Sequence, residues 1–358
     1  MGFDLIELGW DDEWARVFAP HAAEGLVPAR VAIEFNYLYR LYAEAGELQA
    51  QHAGRMRHHA EGRENRSAVG DWVAVLPTPG EAAATIEVVL PRRSRFSRKV
   101  AGETTEEQIV ASNIDTVFLV MGLDGDYNPR RLERYLLMAY ESGARPVVLL
   151  NKADVAGHLS ASLDEIAGLA VGVPVHGISA KQRTGIEVIE QYLGRGRTGA
   201  LLGSSGVGKS TIVNALVGEE MLKTSEVRTD DSRGRHTTRH RHLILLPGRG
   251  LLIDTPGMRE IQLWSQTEGT RETFEDVESL AGGCHFTDCQ HREEPRCAVK
   301  QAIVDGTLEA ARLENYLKLQ TEMRSLDVRK GARAQIDEKR KMKTISQSIK
   351  KLYKSRDR

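Results

Sequence analysis

The sequence lacks the features that mark membrane-spanning or exported proteins. No apolar run approaches the roughly 20 residues that cross a bilayer, and the acidic N-terminus has no basic segment followed by an apolar one. We therefore expect a cytoplasmic protein without membrane association. Cysteine is also scarce, since the chain of 358 residues contains three. A formal net charge of -1 excludes a chain that binds polyanions through its overall charge.

What the sequence does have is the composition of a folded protein, with 41% hydrophobic and 28% charged residues in a length that suits two or three domains. Its charge is unevenly distributed. Acidic residues dominate positions 1–13, and basic residues dominate the segment from Arg324 onward. This asymmetry indicates either a polyanionic partner for the basic segment or a solvated helix with a frayed end.

The chain contains two successive regions with different sequence patterns. Residues 25–99 contain short β-prone segments bounded by Gly or Pro, which predicts a small all-β barrel or sandwich. From residue 104, unbroken apolar runs alternate with helical periodicity. The runs lie at 117–120, 146–150, 200–202 and 250–253. Such runs are typical of parallel strands covered on both faces, so we predict an open α/β sheet with ligands beyond the carboxyl ends of its strands.

A phosphate-binding motif follows the run at 200–202. Residues 203–210 fit G-x-x-x-x-G-K-S, in which backbone amides wrap the phosphates, Lys209 reaches the β- and γ-phosphates and the Ser210 hydroxyl binds magnesium. The predicted phosphate-binding residues are Gly203, Ser204, Ser205, Gly206, Val207, Gly208, Lys209, Ser210 and Thr211. Further on, Asp254 and Gly257 fit D-x-x-G. We expect Asp254 to hold magnesium indirectly and the Gly257 amide to contact the γ-phosphate.

The base-selecting motifs lie upstream of the phosphate motif. Asn151, Lys152 and Asp154 fit N-K-x-D, and the S-A-K loop consists of Ser179, Ala180 and Lys181. The Asp154 carboxylate can accept from N1–H and from the exocyclic amine of guanine, a pair of donors that adenine does not offer. An amide of the S-A-K loop can donate to guanine O6. The motifs therefore predict a site for GTP and GDP.

The order of these motifs is unusual. Ordinary small GTPases begin with the phosphate motif and end with the base motifs, whereas here the base motifs come first. The sequence therefore predicts a circularly permuted GTPase, because sheet neighbours are set by packing and new termini are tolerated in exposed loops. In this order, the segment from Asp254 to Gly257 leads directly into the C-terminal part of the chain.

All three cysteines fall within residues 284–297. The pattern C-x4-C-x-H-x5-C is formed by Cys284, Cys289, His291 and Cys297. Three thiolates and one imidazole complete a tetrahedral zinc site with no open position, which is typical of a structural ion. The alternative is one disulfide with an odd cysteine, which a reducing cytoplasm disfavours.

The permuted motif order, the zinc pattern and the upstream segments VGDWV (69–73) and LPRRSRFSRK (90–99) resemble those of the ribosome small-subunit-dependent GTPase A family. The resemblance covers nearly the whole chain. It implies an N-terminal all-β OB-fold barrel, a central α/β P-loop GTPase domain with permuted motif order and a C-terminal, mainly helical zinc-binding domain. It also implies a GTP hydrolase that binds the small ribosomal subunit and its rRNA late in maturation and is stimulated by that subunit.

We accordingly divide the chain into an N-terminal extension (1–24), an OB-fold-like domain (25–103), a permuted GTPase domain (104–275), a zinc-binding helical domain (276–330) and a basic tail (331–358). We expect a monomer with one structural Zn²⁺, and Mg²⁺ bound with GTP.

The family's switch pattern G-x-H-T-T occurs at residues 234–238. Either Thr237 or Thr238 would close over magnesium and the γ-phosphate. Many GTPases orient the attacking water with a Gln directly after D-x-x-G, but this position is Met258. The resemblance suggests His236 as its replacement, positioning water by a hydrogen bond. Alternatively, His236 merely belongs to a mobile basic loop.

Two basic segments are predicted to contact RNA. In one of them, five cations surround Phe96, which could stack on a base. These cations are Arg92, Arg93, Arg95, Arg98 and Lys99. The other segment is the basic tail. A flexible interdomain linker would have a composition similar to that of the first segment.

Two further functions are compatible with the sequence. One is an RNA-binding module whose nucleotide site is a switch with negligible turnover, which Met258 makes credible. The other is a P-loop ATPase or kinase with an unrelated zinc knuckle, although Asn151 and Asp154 argue against it.

Overall fold

The computed structural model describes residues 2–35, 37–54, 66–99, 107–218, 241–254, 273–325 and 328. By its internal contacts the chain divides into two compact units. The first comprises Met1–Lys99 and Glu106–Gln262, and the second comprises Val100–Thr105 and Leu263–Arg358. Among the described residues, none of the helices combines the length and apolar character that crossing a membrane requires.

The strands are β1 (Val27–Phe35), β2 (Leu38–Ala43), β3 (Gly46–His52), β4 (Trp72–Pro77), β5 (Ala83–Val89), β6 (Arg95–Lys99), β7 (Glu107–Ser112), β8 (Thr116–Gly122), β9 (Arg145–Asn151), β10 (Val175–Gly177), β11 (Thr198–Leu202), β12 (His242–Leu246) and β13 (Gly250–Asp254). The helices of the first unit are α1 (Asp12–Ala22), α2 (Pro129–Ser142), α3 (Leu159–Leu169), α4 (Glu187–Tyr192) and α5 (Lys209–Val217). Those of the second are α6 (Glu275–Ala281), α7 (Ala298–Val304) and α8, which includes residues 310–325.

The first five strands form a closed barrel. Their order is β1-β2-β3-β5-β4, and β4 returns to pair with β1. Neighbours are antiparallel except β3 and β5, which run parallel. Burial alternates along β3, as expected of a strand with one face toward a core. That core includes Val31, Leu41, Val73 and Ile86, all fully buried. The barrel predicted from the short β-prone segments is confirmed, and it is OB-like.

The α/β sheet has the strand order β10-β9-β8-β11-β13-β12. The first five of these strands are parallel, and β12 joins β13 as an antiparallel hairpin. All seven residues of β8 are buried, because the sheet is covered on both faces. The apolar runs identified in the sequence are therefore the central strands, and the predicted α/β layout is confirmed. The pairing of Ile33 of β1 with His242 of β12 continues this sheet into the barrel.

The N-terminal extension packs on the barrel through aromatic side chains. The ring centroids of Trp10 and Trp72 lie 4.7 Å apart, and those of Trp10 and Phe18 lie 5.6 Å apart, both edge to face. Trp14 also lies against Trp72. Edge-to-face aromatic pairs add about 0.5–1.5 kcal/mol each beyond area burial. The N-terminal extension is thus part of the folded first unit.

Arg30 of β1 is a fully buried cation at the junction of barrel and sheet. Its guanidinium donates to the carbonyl oxygens of Leu8, Gly70 (3.2 Å) and Asn113 (3.1 Å) and to Thr198 Oγ1 (2.9 Å). Burial lowers its pKa to about 10. Because these acceptors come from four separate segments, Arg30 ties the N-terminal extension, the barrel and β11 together.

The segment after the barrel corrects one expectation from the sequence. Phe96 lies on β6 with 1% of its surface exposed, so it cannot stack on a base. Arg92 lies 2.7 Å from the fully buried carboxylate of Asp71, and Arg93 pairs with Asp11 and lies over the Trp14 ring. Ion pairs therefore hold Arg92 and Arg93, and β6 is paired antiparallel with β7, so this segment belongs to the fold and is not a flexible linker.

In the second unit, the helices pack around a small core that includes Phe274, Val277 and Tyr316. Arg312 of α8 lies over the Phe274 ring at 4.6 Å and pairs with Asp276 of α6. The helices α7 and α8, which follow the last cysteine, agree with the mainly helical zinc-binding domain that the resemblance implied.

Candidate nucleotide and metal sites

The phosphate-binding loop connects the buried strand β11 to the first turn of α5. Gly206 and Gly208 adopt φ values of 79° and 98°, which only glycine adopts readily. A side chain at Gly208 would also collide with the amide of Asn151. The loop therefore presents the backbone amides at the start of α5, an arrangement that binds phosphate.

Lys209 and Asp254 place opposite charges beside this loop. Lys209 Nζ donates to the carbonyl oxygens of Gly203 (2.8 Å) and Ser204 (2.5 Å). Asp254 ends β13, where burial raises its pKa and the charge of Lys209 acts in the opposite direction. Asp254 is thus a carboxylate at the end of a strand that interacts electrostatically with Lys209. This position is suited to indirect Mg²⁺ coordination in a phosphate site.

Asn151 connects the base motifs to the phosphate loop. Its Nδ2 donates to Val207 O at 2.7 Å, and its Oδ1 accepts from the Ala180 amide at 3.0 Å. The residue has 2% of its surface exposed. Both ends of the side-chain amide are therefore used inside the protein, so Asn151 holds the S-A-K loop and the phosphate loop at a set separation.

Asp154 is oriented by the S-A-K loop. Ser179 Oγ donates to Asp154 Oδ1 at 2.6 Å and accepts from the Gln182 amide at 3.2 Å. The Asp154 carboxylate is thus held by a side chain that is itself anchored to the backbone. Lys181, the third residue of the S-A-K motif, is exposed.

The loop that follows β8 contacts both halves of the site, although no motif marks it. Asp124 accepts from Lys152 Nζ at 2.5 Å, next to the base motif. Asp126 accepts from the hydroxyl of Ser204 in the phosphate loop and pairs with Arg131 at 2.6 Å. The sequence could have indicated this loop by its position directly after an unbroken apolar strand. Polar residues at the carboxyl ends of parallel strands lie along the same edge of the sheet, where ligands bind.

The predicted catalytic residues lie outside the described part of the chain. They are His236, Thr237 and Thr238, and the Gly257 of D-x-x-G lies outside it as well.

The four predicted zinc ligands converge in the second unit. The ligand atoms of Cys284, Cys289, His291 and Cys297 all lie within 4.8 Å of one another. Cys284 Sγ and Cys297 Sγ are 3.8 Å apart, and His291 Nδ1 lies 3.6 Å and 3.4 Å from these two sulfurs. Tetrahedral zinc with bonds of about 2.3 Å to sulfur and 2.0–2.1 Å to nitrogen requires about 3.8 Å and 3.6 Å for such pairs. The donor set and the spacing of these three ligand atoms therefore fit zinc, and 3.8 Å far exceeds a disulfide bond of about 2.05 Å.

Together, these features define a class of protein. The barrel, the permuted order of base and phosphate motifs on a parallel sheet and the Cys₃His cluster in a helical unit are those of a circularly permuted P-loop GTPase. The RsgA GTPase family model matches residues 89–264. A small ribosomal subunit biogenesis GTPase RsgA from Opitutus terrae is 46% identical over 327 residues, covering 89% of each chain. The chain belongs to the RsgA GTPase family, and it is therefore a GTP-hydrolysing enzyme.

Other relatives agree with this assignment. The protein of the same description from Syntrophotalea carbinolica is 41% identical over 350 residues and covers 96% of both chains. Among solved structures, YjeQ from Thermotoga maritima superposes with a TM-score of 0.61 at 26% identity, covering 83% of this chain and 98% of that one. The circularly permuted GTPase YloQ has a TM-score of 0.58 at 22% identity, covering 84% and 96%, and supports the fold.

Proposed function

We propose that this GTPase binds the small ribosomal subunit and couples GTP hydrolysis to late subunit maturation and to its own release. The observation that carries the proposal is the similarity to small ribosomal subunit biogenesis GTPases over 96% of both chains, at 41% identity. A similarity this complete includes the barrel and the metal cluster as well as the nucleotide domain. We further propose that the protein is a cytoplasmic monomer with the five segments and boundaries predicted from its sequence.

In this proposal the described motifs bind guanine nucleotide. Asp154 recognises the guanine edge, the loop at 203–211 binds the phosphates, and Ser210 with Asp254 holds Mg²⁺. His236 positions the attacking water, with Thr237 or Thr238 over the γ-phosphate. The two hydrogen bonds of Asn151 support the assignment, because they hold the predicted base and phosphate loops next to each other. The structural ion in the second unit is Zn²⁺.

We propose that the β1–β2 turn contacts rRNA, in place of the buried Phe96. Three large side chains are exposed here: Phe35 (47%), Tyr37 (61%) and Leu38 (45%). The Arg66 guanidinium lies 4.9 Å from the centre of the Tyr37 ring. Exposed aromatic faces next to arginine are suited to base stacking and phosphate neutralisation. The basic tail is the second proposed RNA contact.

The test is GTP turnover by the purified protein, alone and with small or large ribosomal subunits at matched salt. We expect slow hydrolysis by the protein alone and strong stimulation by small subunits only. Equal rates under all conditions would refute the coupling to the small subunit.

A second candidate is a nucleotide-dependent RNA switch with negligible turnover. The presence of Met258 where many GTPases have the water-orienting Gln favours it. Tight GTP binding combined with no turnover on small subunits would support this candidate against the first.

A further inference from the structure

The barrel holds the start of β12 through backbone and side chains. Ile33 of β1 is paired with His242, the first residue of β12. Glu34 lies 3.7 Å from the guanidinium of Arg241, and Tyr42 Oη is hydrogen-bonded to His242 Nε2 at 3.3 Å. All these side chains are buried or half-buried. Two consecutive residues at the edge of the α/β sheet are thus positioned by the barrel.

This contact lies close to the nucleotide site. His242 is also paired with Asp254 on its other side, in register across β12 and β13. Ile33 and Asp254 are therefore two strand spacings apart, about 10 Å at about 4.8 Å per spacing. Asp254 is the carboxylate assigned to Mg²⁺. In the sequence, Arg241 also follows the two candidate switch threonines, Thr237 and Thr238, by only four and three positions.

The strand directions bring the exposed barrel turn to the same edge. β1 is antiparallel to β12, and β12 is antiparallel to β13, so β1 runs in the direction of β13 and β11. The carboxyl end of β1, at Phe35, therefore lies on the edge of the sheet where the phosphate loop begins and β13 ends. Glu34 directly precedes this turn, which exposes Tyr37 and Leu38.

We propose that Glu34 and Tyr42 are positioning residues for GTP hydrolysis, and that they couple the occupancy of the β1–β2 turn to the alignment of β12 and Asp254. A ligand on the turn moves or stiffens the end of β1, and the contacts to Arg241 and His242 transmit this change to the strand beside Asp254. The occupant of the turn is rRNA, an assignment that rests on the function proposed above. The positioning role of Glu34 and Tyr42 rests only on GTPase activity.

The coupling acts on hydrolysis more than on nucleotide binding. The base and phosphate loops follow β9, β10 and β11, whereas Glu34 and Tyr42 hold the start of β12. Loosening β12 therefore displaces Asp254, which is paired with His242, and leaves the base and phosphate loops in place. The expected signature is a lower kcat with an unchanged KM.

The test uses the full chain with Glu34→Gln, Tyr42→Phe and a charge-exchanged pair, Glu34→Arg with Arg241→Glu. Glu190→Gln is the matched control, since Glu190 also forms a partly exposed ion pair, with Arg249 at 2.8 Å beside the turn between β12 and β13. We expect kcat of the isolated protein to fall about fivefold or more in Glu34→Gln and Tyr42→Phe, with KM changed by about twofold at most. The exchanged pair should recover part of the loss of Glu34→Arg alone.

The outcomes separate this inference from the proposed function. Equal kcat values for wild type, Glu34→Gln, Tyr42→Phe and the control would overturn the positioning role. A joint decrease of kcat, GTP affinity and the thermal unfolding midpoint would also overturn the positioning role, because it indicates general destabilisation. With small subunits added, equal fold-stimulation of wild type and Glu34→Gln would overturn the coupling to the turn. A wild type without stimulation instead refutes the proposed partner, and the kcat comparison still decides the positioning role.

Discussion

Replacing Asn151 by alanine tests whether one buried amide sets the geometry of the nucleotide site. The substitution removes the bonds to Val207 O (2.7 Å) and from the Ala180 amide (3.0 Å) and leaves two buried backbone groups without these partners. Each unsatisfied buried group costs about 1–3 kcal/mol, so the free energy of unfolding should fall by roughly 2–6 kcal/mol. Nucleotide affinity should fall too, because the S-A-K loop and the phosphate loop lose their common tether.

Urea unfolding and titration with a fluorescent GTP analogue measure the two effects of this substitution separately. Asn113→Ala is the matched control. Asn113 is also a buried residue with two side-chain to backbone bonds, to Gly70 O (3.1 Å) and from the Arg93 amide (2.9 Å), but it lies at the barrel junction. Its φ of 53° adds strain for alanine, so the control should lose at least as much stability while keeping its GTP affinity. An Asn151→Ala protein that loses stability but binds GTP like wild type would refute the tether.

Three further predictions concern the base, the phosphates and the metal. Asp154→Asn should abolish the preference for GTP over nucleotides with other bases, because the carboxylate no longer accepts from two guanine donors; competition binding measures this, and unchanged selectivity would contradict the assignment. Gly208→Ala should prevent tight nucleotide binding, because its Cβ would collide with the Asn151 side-chain amide and its φ of 98° is strained for alanine. Normal affinity of this variant for the fluorescent GTP analogue would contradict the prediction. Removal of zinc by a chelator, or Cys297→Ser, should unfold the second unit while GTP binding persists. Metal analysis and limited proteolysis measure the two effects, and an unchanged digestion pattern after metal loss would argue against a structural ion.

The positions of the motifs could be predicted because each is encoded by local spacing. Residues 203–208 follow a short apolar strand, and Lys209 and Ser210 begin a helix; this local context is sufficient to identify a phosphate loop. The Cys₃His set is similarly compact, with ligands from 284 to 297, so its convergence follows from sequence proximity and chemistry. The permuted order of the motifs also indicated the fold of the central domain, because each motif marks the end of a particular strand.

Contacts between distant segments could not be predicted in this way. Phe96 was expected to be available to RNA, but the pairing of β6 with β7 buries it. Asp126 touches Ser204 across 78 positions of sequence, and Asp124 reaches Lys152 across 28. Neither carboxylate belongs to a recognisable pattern, since only the common edge of the parallel strands brings them to the site.

The sequence by itself determined which chemical groups are present and their order: the carboxylate predicted to select guanine, the phosphate loop, the carboxylate predicted to hold magnesium and the predicted zinc ligands. Each depends on residues a few positions apart, where the backbone leaves little choice of geometry. The tertiary structure alone decided how these groups are held. Tyr42 meets His242 across 200 positions, and the buried cation of Arg30 joins four segments. Such contacts depend on how strands pair and pack over long separations, and local spacing carries no information about that pairing.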